Sequence, residues 1–424
     1  MKLTIHRGTN QIGGCITEIS HDGYKLFIDL GEQLPGAETT GQLSVEGLTE
    51  GDVSKSALFI THYHPDHIGK ILDAHPKIPV YMGATALELY SIYENHLSCI
   101  PDEEKAAHHR QITERLESFN TFLAGKEFNW GTIHIIPLMV DHSAFDAYMF
   151  VIEAGGVRLL YTGDFRKHGF RGKALSKMLF KFGRGIDYVI SEGTNVYRAA
   201  DNESESALQK RFKEEFRQHK HNFILASSTH IDRVFSLYHA AREANRIFVC
   251  DLFQKRLMDI VSRTHKLYSD FYRIRQNDIY VLPIRQSDKS FYISQKLMYL
   301  MKRKGFCMPI RDNDRFWNVV SQFDGVDATP TVYYSLWRGY LDEKSPAFNQ
   351  RLFESLSRYP DYKYMHTSGH CDIKALESLF KQIKPKKGII PIHTEFPERF
   401  KGLFGHLAPI VLLRDGETYD CSQL

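Results

Sequence analysis

No two of the six cysteines, Cys15, Cys99, Cys250, Cys307, Cys371 and Cys421, stand close enough to form a CxxC pair. That spacing argues against a disulfide framework and against a thiolate zinc site, and it fits reduced thiols in a cytoplasm. Long apolar runs are missing too. Nowhere does one approach the roughly 20 residues a membrane helix needs, and the stretch from Met1 to Gly14 lacks the apolar core of a signal peptide. The expectation is a soluble, cytoplasmic protein with no membrane partner. A surplus of one charge is also absent: 54 Lys+Arg against 51 Asp+Glu leave a formal charge of +3. So small a value makes no electrostatic case for a nucleic-acid partner by itself and leaves only local basic grooves. No internal repeat and no low-complexity linker interrupts the chain.

Apolar material, by contrast, is ample. With 424 residues, 42% of them hydrophobic, the chain can bury more than one ordinary core, which points to two domains. Short strands joined by glycine turns are expected over residues 3–6, 15–20 and 25–29. The apolar run at 57–61 predicts a buried strand that leads directly into His62-Tyr63-His64-Pro65-Asp66-His67. The stripe Ala86, Leu89, Tyr93 and Leu97, followed by Pro101-Asp102-Glu103-Glu104, predicts a surface helical pair between 84 and 119. Strands are expected again over 132–140, 147–153 and 157–161, the first and last ending in Asp141-His142 and Thr162-Gly163-Asp164. Past a strand at 188–191, helices and strands alternate from about Asn195 to about Pro360, the rhythm of a small α/β domain. Beyond it come a strand at 362–366, a helix at 372–383, a strand at 388–393 and a closing strand pair at 410–413 and 418–421, expected to rejoin the first sheet.

Imidazole and carboxylate donors suit zinc, iron or manganese, and two such ions need about seven or eight donor groups. His62, His64, Asp66 and His67 supply four within six residues. Past a strand end, His62 and His64 point to one side by the period of two, while Asp66 and His67 lie around the following turn and can face a second ion. A lone histidine is more often a core or surface residue than a ligand. His142, Asp164 and His393 gain weight because each follows an apolar strand, so that one sheet edge would collect them. Asp164 suits a bridging position, since one carboxylate can offer an oxygen to each of two cations about 3.5–4 Å apart. Asp29 and Asp141 suit an outer role, accepting the second N–H of a ligand imidazole and thereby fixing its tautomer. Asp29 reads equally as a turn residue before Gly31.

These segments resemble the metallo-β-lactamase superfamily: Phe-Ile-Asp-Leu-Gly ending at Gly31, Thr-His-Tyr-His-Pro-Asp-His ending at His67, Asp-His-Ser starting at Asp141, and Thr-Gly-Asp ending at Asp164, in the family's order. The remainder resembles its β-CASP branch, the nucleases typified by RNase J, archaeal relatives and the 3′-end cleavage factor of mRNA processing. Ser191-Glu192-Gly193-Thr194, His366-Thr367-Ser368-Gly369-His370 and Pro391-Ile392-His393-Thr394-Glu395 carry that likeness. The resemblance implies an α/β fold: an αββα sandwich built from residues 1–195 and 361–424, with an inserted α/β β-CASP domain at 196–360. It implies two divalent metal ions, zinc first and manganese or iron as alternatives. One would sit on His62, His64 and His142, the other on Asp66, His67 and His393, with Asp164 between them. It further implies catalytic roles for Asp66, His370 and Glu192.

The turn Ala226-Ser227-Ser228-Thr229-His230-Ile231-Asp232-Arg233 is similar to the insertion's substrate-facing turn, which makes Ser228, Thr229, His230 and Arg233 candidate substrate contacts. Thr367, Ser368 and Gly369, in a Ser-Gly turn at a helix start, would offer backbone N–H groups to a phosphate. Two features depart from the branch. Cys371-Asp372 follows the second motif where an alanine is usual first, and the sequence ends at Leu424 without the extra C-terminal domain of RNase J, which leaves oligomeric state, a homodimer included, and processive exonuclease action open.

The function implied is a binuclear metal-dependent nuclease hydrolysing phosphodiester bonds, in single-stranded RNA ahead of DNA, as a 5′-exonuclease, an endonuclease or both. A lactonase or thioesterase on the same fold is the first alternative, because the same activated water can attack a carbonyl carbon. A non-catalytic nucleic-acid-binding subunit that has lost its metals is the second, and the complete ligand set stands against it. Tyr334, Trp337 and Arg338 could stack on bases or belong to a core. Basic clusters at Lys302-Arg303-Lys304 and at Lys384, Lys386 and Lys387 could follow a nucleic-acid backbone or be solvated helix ends.

Overall fold

The computed structural model describes residues 1–37, 44–198, 201–325 and 330–422. The chain forms two compact units, one of residues 1–202 and 369–424 and the other of residues 203–368; the sequence predicts seams at 195/196 and 360/361.

Alternation of apolar side chains along the strands gives each sheet of the first unit two faces. One sheet runs Thr418–Asp420, Lys2–Arg7, Ile16–His21, Tyr24–Ile28, Ser56–Phe59, Val80–Gly83, Asn120–Phe122. The other runs Gly388–Ile392, Tyr188–Glu192, Val157–Tyr161, Ala147–Ala154, Ile133–Val140, Phe128–Trp130. Ile5, Ile19, Leu26, Ile28 and Phe59 of the first meet Phe150, Ile152, Leu159, Tyr161, Ile190 and Ile390 of the second in one shared core. The intervening residues of the second sheet, among them Leu138, Val151, Leu160, Val189 and Ile389, face the other way. There they are covered by Leu175 and Leu179 of the helix Gly172–Phe182, Leu376 and Phe380 of Ile373–Ile383, and Phe400 and Phe404 of Arg399–Phe404. The helix Ala84–Leu97 packs on the strands Val80–Gly83 and Asn120–Phe122, with the helix Glu103–Leu116 against it, as the expected helical pair. Two sheets face to face with helices outside are the αββα sandwich the sequence leads one to expect.

Three elements differ from expectation. Of the closing pair, Thr418–Asp420 joins the first sheet beside Lys2–Arg7, but the segment at 410–413 makes only an isolated bridge from Ile410 to Ile389 of the second sheet. The strand expected at 362–366 shortens to Lys363–Tyr364. The helix Gly172–Phe182 has no counterpart in the sequence reading. Among the described residues no helix is long and apolar enough to cross a membrane.

The second unit is built on six parallel strands in the order Ile279–Leu282, Ile247–Asp251, Phe306–Ile310, His221–Leu225, Thr331–Tyr334, Lys363–Tyr364. Runs such as Phe-Cys-Met-Pro-Ile, buried throughout, suit strands covered on both faces. The ends of these strands deliver Ser227 to His230, Arg311, Ser335 to Trp337 and His366 to Ser368 to one edge of the sheet.

Candidate metal centre

Strand ends place the donors. Asp29 follows Tyr24–Ile28, His62 follows Ser56–Phe59, His142 follows Ile133–Val140, Asp164 follows Val157–Tyr161, Glu192 ends Tyr188–Glu192, and His393 follows Gly388–Ile392. Pro65, whose ring presets a helical φ, opens the one-turn helix Pro65–Ile68 immediately after the extended His64. That turn brings the His67 ring back to 4.1 Å from the His62 ring, centroid to centroid, and carries Asp66 to His393. The loop after Asp29 zips onto the helix, with Leu30 N–H donating to the His67 carbonyl (2.8 Å) and Glu32 N–H to that of Pro65 (2.9 Å). Gly31 has to be glycine for this approach, since a Cβ there would lie 1.7 Å from the Asp66 carbonyl oxygen. Asp29 and His393 both take positive φ, 62° and 50°, a conformation non-glycine residues adopt mostly at constrained sites.

The donor atoms converge in two groups around one carboxylate. His64 Nδ1 lies 3.1 Å from His62 Nε2 and 3.1 Å from His142 Nε2. On the other side, His393 Nε2 lies 3.1 Å from Asp66 Oδ2, and His67 Nε2 lies 3.2 Å from Asp164 Oδ2. Asp164 Oδ2 is also approached by His62 and His142 (3.8 Å each), His393 (3.7 Å) and His370 (3.6 Å). Yet both oxygens of Asp164 and Nε2 of His67 are buried without a properly directed hydrogen bond. Bare imidazole nitrogens facing one another and an unbonded buried carboxylate are costly unless something positive lies among them. A tetrahedral zinc with bonds of about 2.0–2.1 Å sets its ligand atoms about 3.3 Å apart, close to the spacings here, so the residues fit a divalent metal.

Outer hydrogen bonds orient the imidazoles. His67 Nδ1 donates to Asp29 Oδ2 (2.8 Å), and Thr61 donates its backbone N–H (2.7 Å) and hydroxyl to the same carboxylate. His142 Nδ1 donates to the Gly369 carbonyl (2.8 Å). Thr194 Oγ1 stands 2.9 Å from His393 Nδ1 and 3.1 Å from His370 Nδ1, and His370 Nδ1 donates to Glu192 Oε2 (3.0 Å). Asp141 does not do the work the sequence suggests for it: its carboxylate accepts from Arg166 Nε (2.6 Å) and from the Arg171 N–H (2.6 Å), while Gly369 serves His142 instead. Replacing Asp29 by alanine is expected to weaken metal affinity by about 10–100-fold, measurable by competition with a chromogenic chelator; unchanged affinity would remove Asp29 from the site.

Burial is the main cause that holds His62 and His142 well below the usual histidine range and takes His64 down to about 4. A neutral imidazole is the form a metal binds. Burial would raise Asp66 and Asp164, but the imidazoles of His67 and His393 outweigh it and both lie below the usual carboxylate range. His67 goes the opposite way: against the effect of burial, Asp164, Asp29 and Asp66 lift it well above 6.5. His370 is likewise lifted, to about 9, by Glu192 and Asp164. For the chelator-treated protein the sign follows directly. Below pH 6.5 the raised His67 and His370 are protonated folded and unfolded alike and add no slope. His62, His64 and His142 take up protons only on unfolding, so stability falls as pH drops from 6.5 towards 4, by up to about 1.4 kcal/mol per pH unit for each. Urea midpoints measured across that window check it; a flat or rising profile would contradict the burial of these three in neutral form.

Residues 360–400 match the family model of the RMMBL, the Zn-dependent metallo-hydrolase RNA specificity domain. The chain is 23% identical to Ribonuclease J of Mycoplasma genitalium over 93% of its own length and 68% of that protein's, and 22% identical to Ribonuclease J of Helicobacter pylori over 93% and 56%. Thus it spans between about half and two thirds of the length of these curated relatives. A crystal structure of a protein of unknown function from Enterococcus faecalis V583 shares the fold across 99% of both chains, with a TM-score of 0.72 at 18% identity. These matches support the resemblance to the RNase J-like β-CASP branch of the metallo-β-lactamase superfamily. Together with the donor set they support a metal-dependent hydrolase.

Other expected contacts are differently placed. Arg233 is fully buried, its guanidinium spent on Glu205 (Nε 3.1 Å, Nη2 2.9 Å) and on the Ser335 hydroxyl, so it ties a helix to a strand end instead of facing a ligand. Ser228 is buried and its hydroxyl accepts from Arg311 (2.8 Å); His230 Nε2 lies 3.3 Å from Glu205. Thr229 pairs with Ser227, hydroxyl to hydroxyl, at 2.9 Å. Thr367 donates its hydroxyl to the Glu203 carbonyl (2.5 Å), and Ser368 is half-buried. Thr367, Ser368 and Gly369 precede the helix Ile373–Ile383, which is capped by its own Asp372, accepting from Ala375 N–H (2.8 Å). Three residues without a sequence assignment stand at the centre. Thr194 and Thr61 orient ligand imidazoles, and a signal for each was its place inside a quoted motif. Cys15 groups with His67 and His393, with no spacing motif to announce it.

Proposed function

We propose that this chain is a binuclear metal-dependent nuclease that hydrolyses phosphodiester bonds in RNA, with a single strand as substrate and zinc as the first metal. His370 carries the reading: it stands beside Asp164, held by Glu192 at 3.0 Å, in a cluster with Asp164, Glu192 and His393 that adjoins the two ligand groups. An oxygen leaving phosphorus needs a proton, and a histidine held by a carboxylate beside the ligand groups can supply it. The RNA specificity model matched at 360–400 and relatives named Ribonuclease J support the same substrate.

His62, His64 and His142 would hold one cation and Asp66, His67 and His393 the other, with Asp164 shared. Bound there, the ions supply an activated water and neutralise charge on the phosphoryl oxygens. Asp66, the donor with the most exposed side chain of its group, at 13%, would orient that water and accept its proton. His370 donates to the leaving oxygen, and Glu192 and Thr194 fix its ring for that transfer. Asp29 and the Gly369 carbonyl keep His67 and His142 in the tautomer that turns Nε2 inward.

End-labelled RNA and DNA, each with a 5′-phosphate or a 5′-hydroxyl, assayed beside lactone and thioester panels, test the reading. RNA turnover that depends on divalent metal is the expected outcome, and release of mononucleotides or of internal fragments assigns exo- or endonuclease action. A clear preference for lactones or thioesters would contradict it.

A further inference from the structure

Trp337, at the edge of the parallel sheet of the second unit, is 42% exposed. It follows the strand Thr331–Tyr334, on the side where ligands collect in α/β sheets. Packing pins the indole. Buried Tyr334 donates its hydroxyl to the Trp337 carbonyl oxygen (2.7 Å) and fixes the backbone. Gly339 lies so close beneath the ring that a Cβ there would fall 2.2–2.4 Å from indole carbons. Tyr340 meets the ring edge-on at 5.5 Å and 83°. An indole left in water is unfavourable, and one held so that it cannot fold back leaves a face for a flat apolar partner.

The partner's charge is set by the next residue. Arg338 lies over Tyr364, Cζ 4.0 Å from the ring centroid, and is exposed. Among the described residues its N–H groups have no hydrogen-bond or ion-pair partner. A stiff guanidinium of this kind suits a phosphate. A planar apolar face beside an anion is the repeating unit of a nucleic-acid strand, and aromatic platforms of this kind bind single strands. Two residues before Trp337, the Ser335 carbonyl accepts from His366 Nδ1 (3.0 Å), so the platform shares its edge with Thr367 and Ser368.

We propose that Trp337, backed by Gly339 and Tyr340, stacks one base of a single-stranded RNA and that Arg338 holds an adjoining phosphate. The proposal rests on the nuclease reading for the choice of RNA. The test is binding of a short single-stranded oligoribonucleotide carrying 2-aminopurine to the full chain, read by anisotropy and by base fluorescence. Trp337→Ala should weaken binding roughly ten-fold, the order of one lost base stack, and abolish part of the quenching. Trp337→Phe should restore most of both. Gly339→Ala, which drives the indole from its seat without removing it, should reproduce the loss and covers a failure of Trp337→Ala to fold. Arg338→Gln should weaken binding and flatten its salt dependence. Affinity within about two-fold of the parent in both Trp337→Ala and Gly339→Ala would overturn the proposal. So would a changed oligomeric state in Trp337→Ala, which would make the patch a contact between copies. Turnover of bis(p-nitrophenyl) phosphate, which has no nucleobase, reports the metal site separately: its absence in the parent contradicts the hydrolase reading and leaves the stacking measurement standing.

Discussion

Asp164→Asn is expected to empty the metal centre and to lower hydrolysis by at least about 10³-fold, the order of several kcal/mol of charge stabilisation. The substitution keeps the shape and removes the charge. Five imidazole nitrogens, from both ligand groups and from His370, stand 3.2–3.8 Å from its Oδ2. An amide in its place can serve at most one metal and repels the other through its NH₂. The account therefore predicts loss of both ions together, seen by elemental analysis, where His64→Ala should cost the first site more than the second. Two ions retained per chain with activity within about ten-fold of the parent would show that the carboxylate does not link them.

His370→Ala should behave differently: activity down by roughly 10²–10⁴-fold, the usual worth of a general acid, with metal content unchanged. The difference follows from position. His370 bonds Glu192 and Thr194 and reaches Asp164 only at 3.6 Å, while His62, His64 and His142 form one group and Asp66, His67, His393 and Asp164 the other without it. A substrate with a good leaving group, such as a p-nitrophenyl ester, should lose far less, because it needs little protonation. Loss of metal in step with activity would instead make His370 a ligand.

Where these residues sit was legible in the sequence to the extent that it was local. His62 to His67 form a strand end, a proline-started turn and one helical turn, all settled within six positions, and the later ligands each follow an apolar strand. What could not be read depends on distant chain. Gly369 serves His142 across 227 positions and Thr194 serves His393 across 199, and no periodicity records such pairs. Arg233 and Asp141 look like functional residues because they are charged and lie in motif segments, yet each faces a buried counter-charge, Glu205 and Arg166, that only the fold supplies. The helix Gly172–Phe182 carries no start signal in the sequence, since its N-terminus lacks a capping side chain and its first residue is glycine. The segment at 410–413 is a continuous apolar run like a buried strand but makes only an isolated bridge, to Ile389.

Anomalous scattering from crystals grown with zinc puts the central claim most directly at risk. Two peaks per chain are predicted, one within bonding distance of His62, His64 and His142, the other of Asp66, His67 and His393, both touching Asp164. A single peak, or zinc bound away from Asp164, would contradict it.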